Sequence, residues 1–409
     1  MKVDTMRRID YYIGVPLCLL GSIYNKFVLL LCNRDKKTLK KVLFIELSEM
    51  GSAILVDPAM RKLQKEIDAD IYFAIFRKNK PSLDLLKTVP QKNIYTIREN
   101  NMAAFIYDTV KFVFWTRKRK IDAVIDLELF SRFTALLTGF SGAQNKVGFH
   151  AFFNEGLYRG SFLTHKVAYN PHIHIAKNFI ALVNALLAKI QEVPYSKTLI
   201  TDEEIKLAQV NVTDDEKKSI RDIVSKCFSG FEPRRHKIVL INPNASELLI
   251  QRRWPPQYYA ELIRRILLAC ENAIVLITGD PKEREEAELL KDQVQSQRAI
   301  NFAGKLTFSQ LPALYSISEF MITNDSGPGH FSAVTPMHSF VIFGPETPAL
   351  YGSLGKTTAI YAGLACSPCV SAANHRKTAC SDNVCLQVIQ PEHVLEMIKP
   401  ELEKINAAR

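Results

Sequence analysis

Short apolar runs separated by amphipathic stretches recur along the chain from Lys41 onwards. The first half contains four runs with the length of buried strands: KVLFIEL from Lys41, DIYFAIF from Asp70, NIYTIRE from Asn93 and IDAVIDL from Ile121. The second half contains five more, which begin at Lys237, Ala273, Ala299, Phe320 and His338. Short apolar strands that alternate with helices are typical of parallel sheets covered on both faces. The pattern therefore predicts an α/β protein.

The length of the chain, 409 residues, favours two domains over a single core. A polar and charged stretch interrupts the strand pattern at residues 201–236. We therefore predict two Rossmann-like domains that face each other across a cleft, at residues 41–200 and 237–390, with residues 201–236 as a linker region. Residues 391–409 are predicted to form a C-terminal helix.

Residues 1–40 have a different pattern, in which a mainly apolar segment, Tyr11 to Cys32, lies between basic flanks. The first 41 residues carry nine Lys or Arg and three Asp, a net charge of +6 out of +11 for the whole chain. The segment is nearly as long as a membrane span, about 20 residues, but Gly, Pro, Asn and Lys residues interrupt it. Basic flanks favour the cytoplasmic side and attract anionic lipid headgroups.

We therefore expect residues 1–40 to associate with a membrane, either by dipping into the bilayer or by lying along its surface. A helix buried against the globular body and a true membrane span are the two alternatives. This interpretation assigns the basic excess to an anionic membrane surface, and no nucleic-acid partner is predicted.

The turns that follow the strands are the candidate sites, because ligands of open α/β sheets bind at the carboxyl ends of the strands. After the first strand, Gly51 allows a tight turn into a helix, whose first N–H groups can bind an anion or a hydroxyl. Glu49 lies in the same turn and Ser52 follows it. An interpretation of Glu49 as a solvated loop residue fits the sequence equally well.

Two turns of the second half carry residues suited to a nucleotide. Asn244 and Ser246 can donate hydrogen bonds directly after a strand, and Arg252 can contact phosphate oxygens in a bidentate manner. Glu283, after the next strand, can accept hydrogen bonds from a ribose. Arg252 could instead be an exposed loop residue, and Glu283 could be a helix-start charge.

The stretch TNDSGPGHF adds a third turn of this kind. Asp325 or Ser326 can cap the helix that follows, Gly327 allows the backbone to approach a ligand, and His330 can pair with a phosphate. Capping explains one polar residue at this junction. It does not explain why acidic, basic and glycine residues cluster there, which favours an anion-binding turn.

Four blocks resemble, in order, those of glycosyltransferase family 9, the ADP-heptose:lipopolysaccharide heptosyltransferases: VLFIELSEMGSAILVDPAM, NPNASELLIQRRWPPQYYAELI, TGDPKEREEA and TNDSGPGHFSAVTPMHSFVIFGPETPALYG. The resemblance implies a GT-B fold with acceptor binding in the first domain and sugar-nucleotide binding in the second. It also implies inversion at the anomeric carbon, no required cofactor or catalytic metal, and a C-terminal helix that returns toward the first domain. The residues that match donor-binding positions of the family are Asn244, Ser246, Arg252, Glu283, Asp325, Ser326, Gly327 and His330.

One departure from the family concerns the catalytic base. Gly51 and Ser52 stand where the heptosyltransferases have a Gly-Asp pair, whose Asp has the role of general base. Because a serine has no useful basicity near neutral pH, another carboxylate must take the proton. Glu49 is the nearest candidate, with Glu46 and Asp57 behind it.

The sequence thus predicts an inverting, metal-independent glycosyltransferase at the cytoplasmic face of the bacterial inner membrane. It would move a heptose or similar sugar from a nucleotide-diphosphate donor, ADP-linked as in the family, to a lipopolysaccharide core or another lipid-linked saccharide. The alternative is a catalytically degenerate nucleotide-sugar-binding or scaffold protein of the same fold. A nicotinamide-dependent dehydrogenase is disfavoured, because no G-x-G-x-x-G follows the first strand.

Four of the eight cysteines form a separate C-x2-C and C-x4-C array near the end of the chain: Cys366, Cys369, Cys380 and Cys385. This spacing is compatible with a structural zinc site. A cluster of reduced thiols is the alternative, since disulfides are disfavoured in the cytoplasm.

Overall fold

The structure is a computed structural model that describes residues 3–31, 39–153, 156–371, 374 and 376–407. The chain forms two compact units. The first comprises Met1–Lys206 with Ala372–Arg376, and the second comprises Leu207–Ser371 with Lys377–Arg409. Each unit is built on its own six-stranded sheet, in which all neighbouring strands are parallel. The α/β class and the two Rossmann-like domains predicted from the sequence are confirmed.

The strands and helices of the first unit follow from its apolar runs and from the turn residues that separate them. Its strands are β1 (Lys41–Ile45), β2 (Asp70–Phe76), β3 (Ile94–Ile97), β4 (Ala123–Asp126), β5 (Asn145–Phe149) and β6 (His165–Val167). Its helices are α1 (Val3–Tyr12), α2 (Gly14–Leu31), α3 (Met50–Leu55), α4 (Asp57–Ile67), α5 (Pro81–Leu86), α6 (Met102–Arg119), α7 (Arg132–Phe140) and α8 (Ile175–Leu187).

The strand order of the first sheet is β3-β2-β1-β4-β5-β6. The chain therefore runs outward from β1 in one direction and then returns to add β4 on the other side, so the order reverses between β1 and β4. Because parallel crossovers are right-handed, α6 and α7 lie on one face of the sheet and the helices between β1 and β3 lie on the other. The reversal is the point at which open α/β sheets bind ligands.

The second unit repeats this plan. Its strands are β7 (Lys237–Asn242), β8 (Ala273–Ile277), β9 (Ala299–Asn301), β10 (Ser318–Asn324), β11 (His338–Phe343) and β12 (Thr357–Tyr361). Its helices are α9 (Asp214–Cys227), α10 (Pro256–Ala269), α11 (Arg284–Val294), α12 (Leu311–Ser316), α13 (Gly327–Ser332), α14 (Pro348–Tyr351), α15 (Val384–Gln387) and α16 (Pro391–Ala407). The strand order is β12-β11-β10-β7-β8-β9, with the reversal between β7 and β10.

All nine predicted strands are present, whereas β5, β6 and β12 were not predicted. These three lie at or next to a sheet edge, and their sequences have fewer consecutive apolar residues than the central strands. Edge strands are buried on fewer sides, so they carry a weaker apolar signal.

The predicted C-terminal helix is α16, which packs on α10 in the second unit, where Val394, Ile398 and Leu402 belong to the hydrophobic core. Its return toward the first domain stays a prediction. The region 201–236, predicted as a linker region, contains the boundary between the two units. It forms α9, which begins with a capping box of Thr213 and Glu216 and contacts α12 of the second unit.

Within the N-terminal segment, Val3–Tyr12 and Gly14–Leu31 are helical, and both helices pack on α7, whereas residues 1–2 and 32–38 lie outside the described residues. The carboxylate of Asp10 accepts hydrogen bonds from the backbone N–H groups of Arg132 (2.9 Å) and Phe133 (3.0 Å) in the first turn of α7. Its other oxygen lies 3.2 Å from Nη1 of Arg132, whose side chain is only 6% exposed. In the described ranges, no helix is both long enough and apolar enough to cross a membrane.

The pairing of Asp10 with α7 predicts a loss of stability in Asp10→Ala. This change leaves the buried Arg132 guanidinium without its carboxylate and removes two first-turn hydrogen bonds. We expect the free energy of unfolding of the first unit to fall by about 2–3 kcal/mol in urea titrations. Asp84→Ala is the matched control. It removes the half-exposed Lys80–Asp84 ion pair (3.3 Å), for which a loss below about 1 kcal/mol is expected. Equal losses for the two variants would contradict this prediction.

Candidate functional site

The strand reversal of the first unit brings three buried acidic residues together. Glu46 follows β1, Asp126 ends β4 and Glu128 lies two residues further on. Oε1 of Glu128 accepts hydrogen bonds from the backbone N–H of Leu47 (2.8 Å) and from both the backbone N–H and the hydroxyl of Ser48 (3.1 Å each). Glu128 therefore fixes the turn that leads from β1 into α3.

Asp126 is held by a different partner, Arg159. The guanidinium forms an ion pair with Asp126 and also donates to the carbonyl of Ser131 (2.9 Å) and the hydroxyl of Thr134 (3.0 Å). These contacts join the end of β4 to the start of α7. In the first unit, only the turn after β1 was predicted as a candidate site. The acidic residues in IDLELF, at the end of the next strand in the sheet, are the sequence signal for this second half of the cluster.

The acidic cluster has perturbed ionisation. Burial, together with repulsion from Asp126, raises the pKa of Glu128 to about 7, although the hydrogen bonds from Leu47 and Ser48 oppose the shift. Burial and the neighbouring carboxylates of Glu128 and Asp126 raise the pKa of Glu46 well above its usual range. Burial also raises the pKa of Asp126, against the effect of Arg159. Perturbed carboxylates of this kind are common at functional sites but also occur in structural networks.

Glu49 directly precedes α3, in the turn that was predicted to carry the catalytic base. Its carboxylate forms an ion pair with Arg376, and its Oε2 accepts a hydrogen bond from the Ser52 hydroxyl at 3.2 Å. Gly51 lies in the first turn of the same helix. Ser52, which stands where the heptosyltransferases have an Asp, thus helps to orient Glu49.

Asp57 has a structural role in this unit. It is fully buried and accepts hydrogen bonds from Arg61 Nε (2.7 Å) and from the Thr88 hydroxyl. The first contact lies within α4, and the second connects α4 to the chain that follows α5. Asp57 therefore has structural partners, and a role as catalytic base stays a prediction for it.

The strand reversal of the second unit is organised by Asn324, which the sequence did not single out. Its Oδ1 accepts hydrogen bonds from Trp254 N (3.1 Å) and the Tyr259 hydroxyl (3.0 Å). Its Nδ2 donates to the carbonyls of Pro243 (2.7 Å) and Asn244 (3.4 Å). A single buried amide thereby joins the turn after β7, the start of α10 and the end of β10.

Asn244 and Glu283 are brought together by Gly279. A Cβ atom at Gly279 would lie 3.0 Å from both Asn244 Nδ2 and Glu283 Oε2, so glycine leaves the space that these side chains share. Asn244 Nδ2 is buried and has no hydrogen-bond partner among the described residues. Glu283 Oε2 accepts the backbone N–H of Asp280 at 2.6 Å in a capping box. The helix-start role of Glu283 is therefore observed, and a ribose contact stays a prediction.

Arg252 lies between two acidic residues instead of being an exposed loop residue. It forms an ion pair with Glu346, and its Nε lies 3.6 Å from Asp325 Oδ2. Burial and the adjacent Asp325 raise the pKa of Glu346 to about 8, although Arg252 opposes this shift. The group links the ends of β10 and β11 through one cation. Glu346, in FGPET directly after a strand, was not predicted.

The turn between β10 and α13 carries the remaining predicted residues. Ser326 occupies the N-cap position of α13, but its hydroxyl donates to the Asn324 carbonyl (3.2 Å) and does not cap the helix. A Cβ atom at Gly327 would lie 2.8 Å from the Phe331 ring, so close packing explains this glycine. His330 is half-buried in α13. The structure thus groups Asn244 with Glu283 and Arg252 with Asp325. It places Ser246 in the turn after β7, Ser326 directly before α13, and Gly327 and His330 within α13.

The sequence of the chain was compared with models of known protein families. The model of glycosyltransferase family 9 (heptosyltransferase) matches residues 115–379, well over half of the chain. The chain belongs to glycosyltransferase family 9. The matched range contains all the predicted donor-binding residues, whereas Glu49, Gly51 and Ser52 precede it.

Individual members of glycosyltransferase family 9 are similar over different lengths. Lipopolysaccharide heptosyltransferase 1 of Campylobacter coli is 25% identical over 88% of this chain and 98% of its own length. Lipooligosaccharide heptosyltransferase 2 of Campylobacter jejuni is 30% identical over 40% of this chain, and the alignment spans only 51% of that protein. The structure of Escherichia coli ADP-heptose lps heptosyltransferase II has a TM-score of 0.67 at 21% identity, over 89% of this chain and 99% of that one. This structural likeness supports the predicted GT-B fold class.

The cysteine array of this family 9 member does not form a metal centre among the described residues. In those parts of the chain, no group of three or more His, Cys, Asp or Glu side chains is arranged to hold a metal ion. The Cys369 thiol lies 3.3 Å from the Thr378 hydroxyl, and the Cys380 thiol lies 3.3 Å from Asp382 Oδ1. Cys366 is exposed and Cys385 is buried. The zinc site stays a prediction that this geometry does not support, and His375, inside the array, lies outside the described residues.

The raised pKa of Glu128 predicts a pH dependence of stability. A carboxyl group whose pKa rises on folding, here from 4.5 to about 7, stabilises the fold fully below pH 4.5 and loses this contribution as pH rises through about 7. The unfolding free energy of the parent protein should therefore fall between pH 4.5 and pH 7. In Glu128→Gln, which keeps an acceptor oxygen, we expect this fall to be smaller than in the parent by about 2 kcal/mol. Denaturant titrations at several pH values measure this difference.

Glu66→Gln serves as the control for this prediction, because the Glu66 side chain is 46% exposed. This variant is expected to keep the full pH dependence of the parent protein. A Glu128→Gln variant with an unchanged pH dependence would show that Glu128 does not retain its proton in the folded state.

Proposed function

We propose that the protein is an inverting glycosyltransferase that moves a heptose or similar sugar from an ADP-linked donor to a lipopolysaccharide core or another lipid-linked saccharide. The observation that carries this proposal is the match to family 9, which covers all the turns at the strand reversal of the second unit. In these turns, Arg252 pairs with both Asp325 and Glu346. The ADP-heptose named for the Escherichia coli structure supports the choice of donor.

The second unit would bind the donor at the turns after β7, β8 and β10. Asn244 offers a buried amide with an unused donor, which suits a ribose or phosphate oxygen. His330 and Arg252 supply the groups that can meet a diphosphate. Because Arg252 already shares its charge with Asp325 and Glu346, these carboxylates would hold its side chain in place before the donor binds.

The first unit would bind the acceptor and remove its proton. In the proposed direct displacement, the acceptor oxygen forms a bond to the anomeric carbon while the bond to the departing nucleotide diphosphate breaks. Glu49 takes the proton of the attacking hydroxyl. His330, Arg252 and the N–H groups around Ser326 stabilise the negative charge that grows on the leaving group. No metal or organic cofactor is assigned to this step.

The proposed location is the cytoplasmic face of the bacterial inner membrane, with peripheral attachment. Two features support it: the acceptors named for the family 9 relatives are lipopolysaccharide or lipooligosaccharide, and the apolar stretch between the basic flanks forms α2 over Gly14–Leu31. A catalytically degenerate binding protein is the second candidate. It is favoured by one observation, the presence of Ser52 where the family's Asp is expected.

The donor assignment predicts the binding properties of two variants. His330→Ala and Arg252→Ala are each expected to weaken ADP-heptose binding by about tenfold or more, since each removes a charge-assisted contact to the diphosphate. Calorimetric titration with ADP-heptose, and in parallel with UDP- and GDP-sugars, measures the affinity and the nucleotide preference.

Arg253→Ala is the matched control for this test, because Arg253 is adjacent in sequence but pairs with Glu286 on α11 at 3.4 Å. Its donor affinity should stay within about twofold of the parent protein. Parent-like binding by both His330→Ala and Arg252→Ala would show that the donor site lies elsewhere. Tight donor binding with no transfer to a heptose-deficient lipopolysaccharide core would favour the degenerate protein.

The role of Glu49 predicts a kinetic effect and its rescue. Glu49→Gln removes the base and is expected to lower kcat by about 100-fold or more with little change in KM for the donor. Adding Ser52→Asp restores a carboxylate at the family's position and should recover part of kcat. Rates measured with saturating acceptor test both expectations. A Glu49→Gln variant with parent-like kcat would rule out Glu49 as the base.

A further inference from the structure

Helix α2 has an inverted pattern of side chains. Four positions that face the protein are small or polar and buried: Gly14, Cys18, Gly21 and Asn25. Positions outside this inward face carry large apolar side chains that are exposed, among them Leu17, Leu20, Tyr24 and Phe27. A helix on the surface of a soluble domain normally has the reverse arrangement, with its apolar stripe toward the core.

The inward face of α2 is closely fitted to the first unit. A Cβ atom at Gly21 would lie 3.0 Å from the Phe162 ring, and the Cys18 side chain is completely buried against Ala135 and Phe162. Asn25 accepts a hydrogen bond from Lys146 Nζ at 3.1 Å. The helix is therefore docked in a specific orientation, and its large apolar residues face outward because the inward positions are filled.

A second helix, α6, presents an apolar stripe of its own. Its exposed residues recur at intervals of four: Met102, Ile106, Val110 and Phe114, of which Phe114 is 68% exposed. Residues of the opposite side of α6 are buried, among them Asp108, Phe112 and Thr116. The stripe is thus not the core-facing side of an amphipathic helix but an additional apolar face.

The two helices that carry the apolar stripes share a neighbour in the first unit. Helix α7 contacts α1 and α2 as well as α6. The rings of Phe105 on α6 and Phe133 on α7 are 4.6 Å apart, and Met6 of α1 packs on the same cluster. Helix α7 is therefore next to both α2 and α6. We call the eight exposed residues, Leu17, Leu20, Tyr24, Phe27, Met102, Ile106, Val110 and Phe114, the α2–α6 face.

The exposed charges on helices α2 and α6 have one sign. The exposed charged side chains of α2 and α6 are all basic: Lys26, Lys111, Arg117, Lys118 and Arg119. The single acidic residue on these two helices, Asp108, is buried and paired with Arg98 at 2.7 Å. Tyr24 and Tyr107 add amphipathic rings of the type enriched where protein meets the lipid headgroups.

We propose that the α2–α6 face is a docking surface for an anionic phospholipid bilayer, which α6 enters together with the N-terminal helices. Large apolar side chains grouped at this density are rare on a purely water-exposed surface. A bilayer satisfies both features of the face, since the acyl region covers the apolar stripes and the headgroups meet the basic residues. The inference deepens the proposed peripheral location, and it is independent of the transfer reaction.

The contribution of α6 separates this proposal from attachment by the N-terminal segment alone. Ile106→Gln combined with Val110→Gln removes apolar area from exposed positions and leaves α2 unchanged. With vesicles of equal parts phosphatidylglycerol and phosphatidylcholine, we expect the full-length double variant to bind about tenfold more weakly than the parent. Flotation or sedimentation of the protein with vesicles measures this ratio, and neither donor nor acceptor is needed.

A matched control uses exposed leucines of the second unit. Leu268→Gln combined with Leu289→Gln removes a similar apolar area from side chains that are 84% and 59% exposed. This variant should bind vesicles like the parent. Vesicles of phosphatidylcholine alone, or added salt, should weaken binding of the parent protein, since the basic residues then lose their anionic partners.

A direct measurement covers the case in which the double variant folds poorly. Phe114→Trp places an indole on the α2–α6 face, and its fluorescence should be quenched by lipids with brominated acyl chains. Leu268→Trp should show no quenching beyond that of the parent.

Three results would overturn the proposal: parent-like vesicle binding by the α6 double variant, no quenching of the Phe114→Trp indole, or no binding of the parent to anionic vesicles. If the parent protein does not bind vesicles but forms a concentration-dependent dimer that the α6 changes abolish, the face is instead an interface between two copies of the chain.

Discussion

Both halves of the protein depend on one constraint: where the strand order of a parallel sheet reverses, the backbone groups beyond the strand ends have no neighbouring strand to pair with. Buried N–H and C=O groups must nevertheless be satisfied. Glu128 performs this task in the first unit, where it receives the N–H groups of Leu47 and Ser48. Asn324 performs it in the second, where it accepts Trp254 N–H and donates to the Pro243 carbonyl.

The choice of bridging residue differs between the units, and this difference sets their electrostatics. Asn324 is neutral, so the second unit can bury it completely without the free-energy cost of desolvating a charge. The charged group of Arg252, Asp325 and Glu346 forms beside it. Glu128 is a carboxylate next to Asp126 and Glu46, and the three compete for a limited number of positive partners. Protonation relieves this repulsion, which is why burial and mutual repulsion raise the pKa of Glu46 and Glu128. The stability of the acceptor half of the proposed enzyme is therefore expected to respond to pH through this acidic cluster.

The sequence was sufficient for the parts of the fold that local pattern determines. Every central strand has a continuous apolar run, and the turns after β1, β7, β8 and β10 were found because strand ends are where polar residues gather. The partners within those turns were not found, because they come from elements distant in sequence. Arg252 meets Glu346 across nearly a hundred residues, and Glu128 reaches Leu47 across 81. A single sequence shows that such residues exist but not that the strand order brings them together.

The N-terminal region shows a second limit of the same kind. An apolar segment has one hydropathy pattern whether its large residues face the core or face outward, and only the packing of Gly14, Cys18 and Gly21 against α7 and Phe162 decides which side is inside. The hydrophobic effect acts on both sides of such a helix. Small residues allow α2 to pack closely on the rest of the first unit. The large apolar residues of α2 are then left exposed, and only another apolar phase or surface can remove them from water. The same logic applies to α6, whose inner side already completes the core. Membrane attachment would therefore follow from how the first unit is packed, and not from an anchor added to a finished domain.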